Sequence, residues 1–96
     1  MLNITPPPIK DPDEVLDFNL DWSNALLEHG DDSITSSLWL SSNSALVIDS
    51  DSFVGNTTTV WLSGGDLGER YTLTNRVNTL GGRTYDCSFK LRVKMK

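Results

Sequence analysis

One histidine, one cysteine and three close pairs of aspartates are the residues of this 96-residue chain whose types could support catalysis or metal binding. His29 has the ring for acid–base work near neutral pH. A triad would also need a nucleophile and an orienting acid gathered around it in space. Ser and Asp are scattered along the whole chain, so their proximity to His29 would mean little, and it reads as a solvated loop histidine. Cys87 falls in the inward register of the final strand, where a free thiol behaves as a small hydrophobe. A reactive thiol needs an exposed, electropositive site. The pairs Asp11/Asp13, Asp31/Asp32 and Asp49/Asp51 could offer oxygens to calcium, which wants about six or more from a shaped loop. None has the Asp-x-Asp-x-Asp-Gly spacing; Asp49-Ser50-Asp51 comes nearest, and turn formation is its simpler reading. Gly64-Gly65-Asp66-Leu67-Gly68 lacks the Gly-Lys-Ser/Thr element of a phosphate loop and reads as a corner between strands. The residues therefore assign no catalytic group, no metal site and no cofactor. A protein that is not an enzyme and takes no small-molecule substrate is expected.

The elements around these residues are strands. Leu16, Phe18, Leu20 and Trp22 alternate with Asp17, Asn19 and Asp21, as in a half-buried strand. Ser23 to Gly30 makes one short helical turn or a loop, and Gly30-Asp31-Asp32-Ser33 is a turn signal. Ile34 to Leu40 forms a second strand with Ile34, Ser36, Leu38 and Leu40 on one face. Leu46 to Ile48 makes a short strand, and Asp49-Ser50-Asp51 turns the chain. Thr57-Thr58-Thr59-Val60-Trp61-Leu62 is rich in β-branched and aromatic residues that suit a pleated surface. Leu80-Gly81-Gly82-Arg83 is a hairpin loop. The last strand runs from about Thr84 to Lys94. Six strands at near-regular spacing predict an all-β fold, an immunoglobulin-like antiparallel β-sandwich over residues 14–96. Tyr71 stands where such sandwiches place a corner tyrosine, two positions before the core residue, here Leu73. Both are expected to be structural. Trp22 reads as core; Trp39 and Trp61 fall out of register with their apolar neighbours, although one of them could be the tryptophan that fills the sandwich.

Residues 1–13 form an extended arm. Pro6-Pro7-Pro8 favours polyproline II, and such a segment is not expected to bury itself in its own core. Pro6, Pro7, Pro8 and Ile9 are therefore expected to contact a neighbouring subunit. The start of the chain lacks the basic and apolar regions of a signal peptide, and with Met1 it suggests a complete, intracellularly made product. No run of about 18 apolar residues offers a membrane span. The net charge of −5 argues against nucleic acid or an acidic membrane surface as partners.

Charge is divided unevenly. Residues 1–69 hold 12 acids against Lys10, or −11, and residues 70–96 hold seven bases against Asp86, or +6, which recovers −5. On the last strand Lys90, Arg92, Lys94 and Lys96 recur every second residue along one face. If the first and last long strands lie side by side, Asp17 and Asp21 face Lys90 and Arg92 within one subunit. Otherwise Lys90, Arg92 and Lys94 meet an acidic surface on a neighbour, and head-to-tail contacts of that kind build rings.

Several segments together, in order, resemble a known family. They are Lys10-Asp11-Pro12-Asp13-Glu14-Val15-Leu16-Asp17-Phe18, Leu20-Asp21-Trp22, Asp32-Ser33-Ile34-Thr35-Ser36-Ser37-Leu38-Trp39, Thr59-Val60-Trp61-Leu62-Ser63-Gly64-Gly65, Tyr71-Thr72-Leu73-Thr74-Asn75 and Gly82-Arg83-Thr84. The family is that of small tailed-bacteriophage fibre–tail adaptor or tail accessory proteins, and the resemblance spans roughly residues 10–94. It implies an immunoglobulin-like virion component, made in the host cytoplasm and placed in the tail. It also implies that the chain joins fibres or other tail parts to the tail tube or neck, in several symmetric copies. Its implied partners are other tail, neck and fibre proteins. A capsid decoration or neck protein, or a carbohydrate- or calcium-binding adhesion module, is the alternative.

Overall fold

Alternating apolar residues form long strands, and the computed structural model arranges them in two four-stranded sheets. It describes every residue except Met1, Asn3, His29, Asp31, Asp32 and Lys96. In chain order the elements are β1 (Ile4–Thr5), β2 (Ile9–Lys10), β3 (Leu16–Asp21), α1 (Ser23–Glu28), β4 (Ile34–Ser41), β5 (Leu46–Val54), β6 (Thr57–Gly64), β7 (Arg70–Thr79) and β8 (Thr84–Val93). The first sheet has the order β1-β3-β6-β5 and the second β2-β8-β7-β4. Pairing is antiparallel throughout, except that β2 runs parallel to β8. The fold is all-β and sandwich-like.

The core fills the space between the sheets. Phe18 and Leu20 of β3 and Val60 and Leu62 of β6 meet Tyr71, Leu73 and Val77 of β7 and Phe89, Leu91 and Val93 of β8, all buried. Trp39 of β4 stands edge-on to Phe89, with ring centroids 6.1 Å apart. A buried polar side chain joins the two layers. Asn75 is completely buried, and its Oδ1 accepts from Trp22 Nε1 at 2.9 Å and from Thr58 Oγ1 at 2.7 Å. Its Nδ2 donates to Ser37 Oγ at 2.9 Å and to the Leu38 carbonyl at 3.1 Å. The Nε1 of Trp39 is buried without a hydrogen-bond partner, and nothing in the structure explains it.

Two bulges alter the expected registers. β4 pairs Ile34 with Thr79 and then Ser36 with Asn78, so one extra residue enters β4. An inserted residue flips the alternation beyond it. Leu38 and Leu40 therefore face outward, 50% and 48% exposed, and Trp39 turns into the core at 4%. The expected inward face of Ile34, Ser36, Leu38 and Leu40 is corrected accordingly. In β5, Ile48 pairs with Leu62 and Ser50 with Trp61. Asp49-Ser50-Asp51 thus does not turn the chain; the strand bulges there and continues to Val54. Trp61 lies outside, as its register indicates.

The arm is seated on its own sandwich. Ile4 pairs with Leu20 in the first sheet, and Ile9 and Lys10 pair with Arg92 and Val93 in the second. Prolines carry no N–H for a ladder, so Pro6-Pro7-Pro8 is where pairing stops on one sheet before resuming on the other. The Thr5–Pro6 peptide is cis. Arg92 N–H donates to the Pro8 carbonyl at 3.0 Å, and Lys94 N–H to the Lys10 carbonyl at 2.9 Å. Lys10 is fully buried. Its Nζ donates to the carbonyls of Gly64 at 2.7 Å, Asp11 at 2.9 Å and Pro12 at 3.4 Å. Burial pushes its pKa below the usual lysine value, while Glu14, Asp11, Asp13 and Asp49 oppose that shift.

Ser23–Glu28 settles as a helix of under two turns. Asp21 Oδ1 accepts from Ser23 N–H at 2.9 Å, and this bond holds the Asp21 carboxyl below its ordinary value. Tyr71 is buried, and its hydroxyl accepts from the Asp66 N–H at 2.8 Å. Gly65 sits beside it with φ +90°; a Cβ there would lie 2.9 Å from Val93 Cγ2. A side chain would therefore meet both backbone strain and a packed core at this corner.

Candidate functional site: the outer face of the second sheet

Successive residues of β7 and β8 point to opposite sides, and one of those sides is turned to solvent. The register places Asn78 opposite Thr84, Arg76 opposite Asp86, Thr74 opposite Ser88, Thr72 opposite Lys90 and Arg70 opposite Arg92. β4 extends the rows, with Ser36 beside Asn78, Leu38 beside Arg76 and Leu40 beside Thr74.

Half of this face is internally satisfied. Asn78 Nδ2 donates to Ser36 Oγ at 2.7 Å, and Thr84 Oγ1 donates to Asn78 Oδ1 at 2.7 Å. Thr74 and Ser88 share a hydroxyl hydrogen bond of 2.8 Å. Arg76 engages Asp86 through both carboxylate oxygens, at 2.8 and 2.9 Å. That fork raises the Arg76 pKa and lowers the Asp86 pKa.

The other half is cationic and unpaired. Arg70, Lys90, Arg92 and Lys94 are exposed, and none makes an ion pair among the described residues. Lys90 Nζ reaches only Thr72 Oγ1, at 3.2 Å. Arg70 and Arg92 stand directly opposite, an arrangement of like charges that destabilises a sheet. β3 belongs to the other sheet, so Asp17 and Asp21 do not line up with Lys90 and Arg92. The intramolecular pairing expected as one alternative is thereby corrected. What borders β8 instead is the arm: Ile9 pairs with Arg92. Pro8 and Ile9 are half-buried, and Pro6 and Pro7 are exposed. The structure thus brings Pro8 and Ile9 to the sheet edge that carries Arg92, while Pro6 and Pro7 lie on the passage from the first sheet.

Sequence reasoning missed Lys10 as the anchor of that edge, and Leu38 and Leu40 as part of the face. A lone lysine in an acidic segment carries no signal of burial, and the β4 bulge has no residue-type signature.

The groups singled out for chemistry stand apart. His29 and the pair Asp31/Asp32 lie outside the described residues. No cluster of three or more His, Cys, Asp or Glu that could hold a metal occurs among the described residues. Asp11 closes a local turn, accepting from Asp13 N–H at 2.9 Å, and Asp49 accepts from Ser63 Oγ at 3.0 Å. Cys87 is half-buried against the core. With Trp22, Ala25 and Tyr85 it lines an open groove of about 350 Å³. Among the described residues, no helix is long and apolar enough to cross a membrane.

A family model described as podophage GP4 fiber-tail adaptor protein gp77 matches residues 10–92. The chain belongs to this family. Its description makes the chain a bacteriophage tail fibre adaptor, a structural component of the virion tail. No curated protein matches the chain. The matched span opens on the buried Lys10 and closes on Arg92, so it takes in the anchor and most of the cationic row. Pro6, Pro7, Pro8 and Ile9 fall outside it.

Proposed function

We propose that the chain is a non-enzymatic adaptor that joins fibres, or other tail parts, to the tail tube or neck through its cationic outer face. It is made in the host cytoplasm, enters the virion in several symmetric copies, and meets acidic surfaces of neighbouring tail proteins or of further copies. Family membership supports the tail role. The observation that carries the choice of surface is the unpaired set Arg70, Lys90, Arg92 and Lys94 on a molecule of net charge −5. Like charges held opposite each other cost stability within the subunit, and a partner's carboxylates would offset that cost. Pro8 and Ile9 border the same edge and, with Pro6 and Pro7 just before them in the chain, extend the proposed contact. The fold is read here as immunoglobulin-like. The orders β1-β3-β6-β5 and β8-β7-β4 support this, because constant-type sandwiches order their strands ABED and CFG.

The test separates monomer stability from assembly. Arg92→Glu with Lys90→Glu places a carboxylate opposite Arg70. The thermal midpoint should hold or rise, by the equivalent of about 0.2–1 kcal/mol. Incorporation of the variant into tails should fall. Normal incorporation at normal copy number would remove this face from the adaptor contact.

A further inference from the structure

The free edge of the second sheet is β4, and its sequence reads the same in both directions. Ser36-Ser37-Leu38-Trp39-Leu40-Ser41-Ser42 is symmetric about Trp39. The stretch Ile34–Ser42 contains no charged residue and no proline. Natural edge strands are normally blunted by charge, proline, bulges or shortness. The other edges follow that rule: β1 and β2 are two residues each, and β5 bulges at Asp49 and carries Asp51. β4 beyond its own bulge has none of these devices. β5 follows it in the chain but belongs to the opposite sheet, so among the described residues no strand pairs with the outer side of β4.

Backbone parity fixes what that edge offers. In an antiparallel ladder, alternate residues exchange both bonds with the partner strand, and those between them point away. Ser42 N–H donates to the Thr72 carbonyl at 2.9 Å, in the same register that pairs Leu40 with Thr74 and Leu38 with Arg76. Even-numbered residues therefore bond to β7. Ser37, Trp39 and Ser41 turn their N–H and C=O groups to the free edge.

We propose that β4 pairs antiparallel with β4 of a second copy of this chain, about a two-fold axis at Trp39. The proposal does not depend on the adaptor reading above. Ser37 then opposes Ser41 of the partner, and Trp39 opposes its own equivalent. These are the residues whose backbone groups face outward, so each pair can exchange two hydrogen bonds. Leu38 of each copy opposes Leu40 of the other on the outer face, and the half-exposed leucines become a shared apolar patch. Charge selects a second copy as the occupant. An acidic molecule can approach its own like on this uncharged strand without opposing acids, whereas self-pairing through β5 would bring Asp49 and Asp51 toward their equivalents. The result is an isologous dimer with one eight-stranded sheet and a cationic row near each end.

Sedimentation of the purified full chain over a concentration series tests this. A monomer–dimer equilibrium is expected. Leu38→Lys or Leu40→Lys, both at solvent-facing positions, should weaken the dimer by about tenfold or more. Leu67→Lys, exposed in the β6–β7 corner, should leave it unchanged. Register is read separately by cross-linking in a Cys87→Ala background. A mixture of Leu38→Cys and Leu40→Cys chains should form a disulfide-linked dimer on mild oxidation, and either chain alone should not. A wild-type chain that stays monomeric up to about 1 mM overturns the proposal, including the case in which another tail protein adds its strand here. Equal cross-linking of the mixture and the single variants overturns it as well.

Discussion

Asn75 uses all four hydrogen-bonding positions of its amide inside the core, two as acceptor and two as donor. Replacing it by Leu leaves the Trp22 N–H and the Thr58 hydroxyl buried without partners. A loss of about 2–6 kcal/mol is expected in urea denaturation, since each of the two orphaned groups costs about 1–3 kcal/mol. Asn75→Ala should cost at least as much, because a cavity adds to the orphaned groups. At the corner, Tyr71→Phe removes the acceptor of the Asp66 N–H and should cost about 1 kcal/mol. Leu73→Ala empties a fully buried position and should cost roughly 2–5 kcal/mol. Unchanged midpoints for Tyr71→Phe and Leu73→Ala would mean that neither the Tyr71–Asp66 hydrogen bond nor the burial of Leu73 holds the fold. Tyr71, Leu73, Asn75 and Val77 were legible as one face because strict alternation exposes them. That Asn75 would join both sheets was not, since its partners come from three other segments of the chain.

At the scale of elements the arm departs furthest from its sequence reading. Proline content marks where a ladder cannot form, yet says nothing of whether the flanking residues pair. Deleting residues 1–9 strips strand partners from Leu20 and Arg92 and uncovers the edge of β8. A lower thermal midpoint is therefore expected even for the isolated domain. An unchanged midpoint would show that the arm adds nothing to its own subunit. Lys10 gives the arm a pH signature. Its folded pKa is depressed, so between that value and the unfolded value of about 10.4 the unfolded chain binds more protons. Stability carried by Lys10 should thus rise with pH across that alkaline window and be constant below it. Lys10→Met, which keeps the stem and drops the charge, should remove this rise when the two denaturation curves are compared pH by pH. Identical slopes would place the ammonium in solvent. The bulges teach the same lesson about legibility. Alternation in β4 is plain in the residues, but the single inserted residue that turns Trp39 inward and Leu38 outward is set by pairing with β7.

For the whole molecule, the strand spacing, the glycine corner and the division of charge made an all-β sandwich with a cationic final strand readable in advance. Which strands neighbour each other was not readable, because long-range pairing follows no local rule. The order found has the arm, not Asp17 and Asp21, beside β8, and this leaves the cations unneutralised. Raising salt from about 0.05 to 0.5 M should therefore weaken any contact made through this face while barely moving the urea midpoint of the monomer. A contact insensitive to salt would have to rest on the apolar part of the face instead.

Ile9 lies opposite Arg92, although the two are 83 positions apart in the sequence. This has a consequence in time. The second sheet takes its outermost strand, β2, from ahead of its other strands in the chain and β8 from behind them. Neither β2 nor β7 finds that neighbour until β8 itself has been synthesised. A nascent chain halted before Thr84 holds the apolar faces of β3, β6 and β7 with no β8 to cover them, and long-range pairing of this kind is slow even in a complete chain. Chains truncated at residue 83 are expected to aggregate or be degraded rather than fold. On that reckoning the virion receives only molecules in which β2 and β8 have already met.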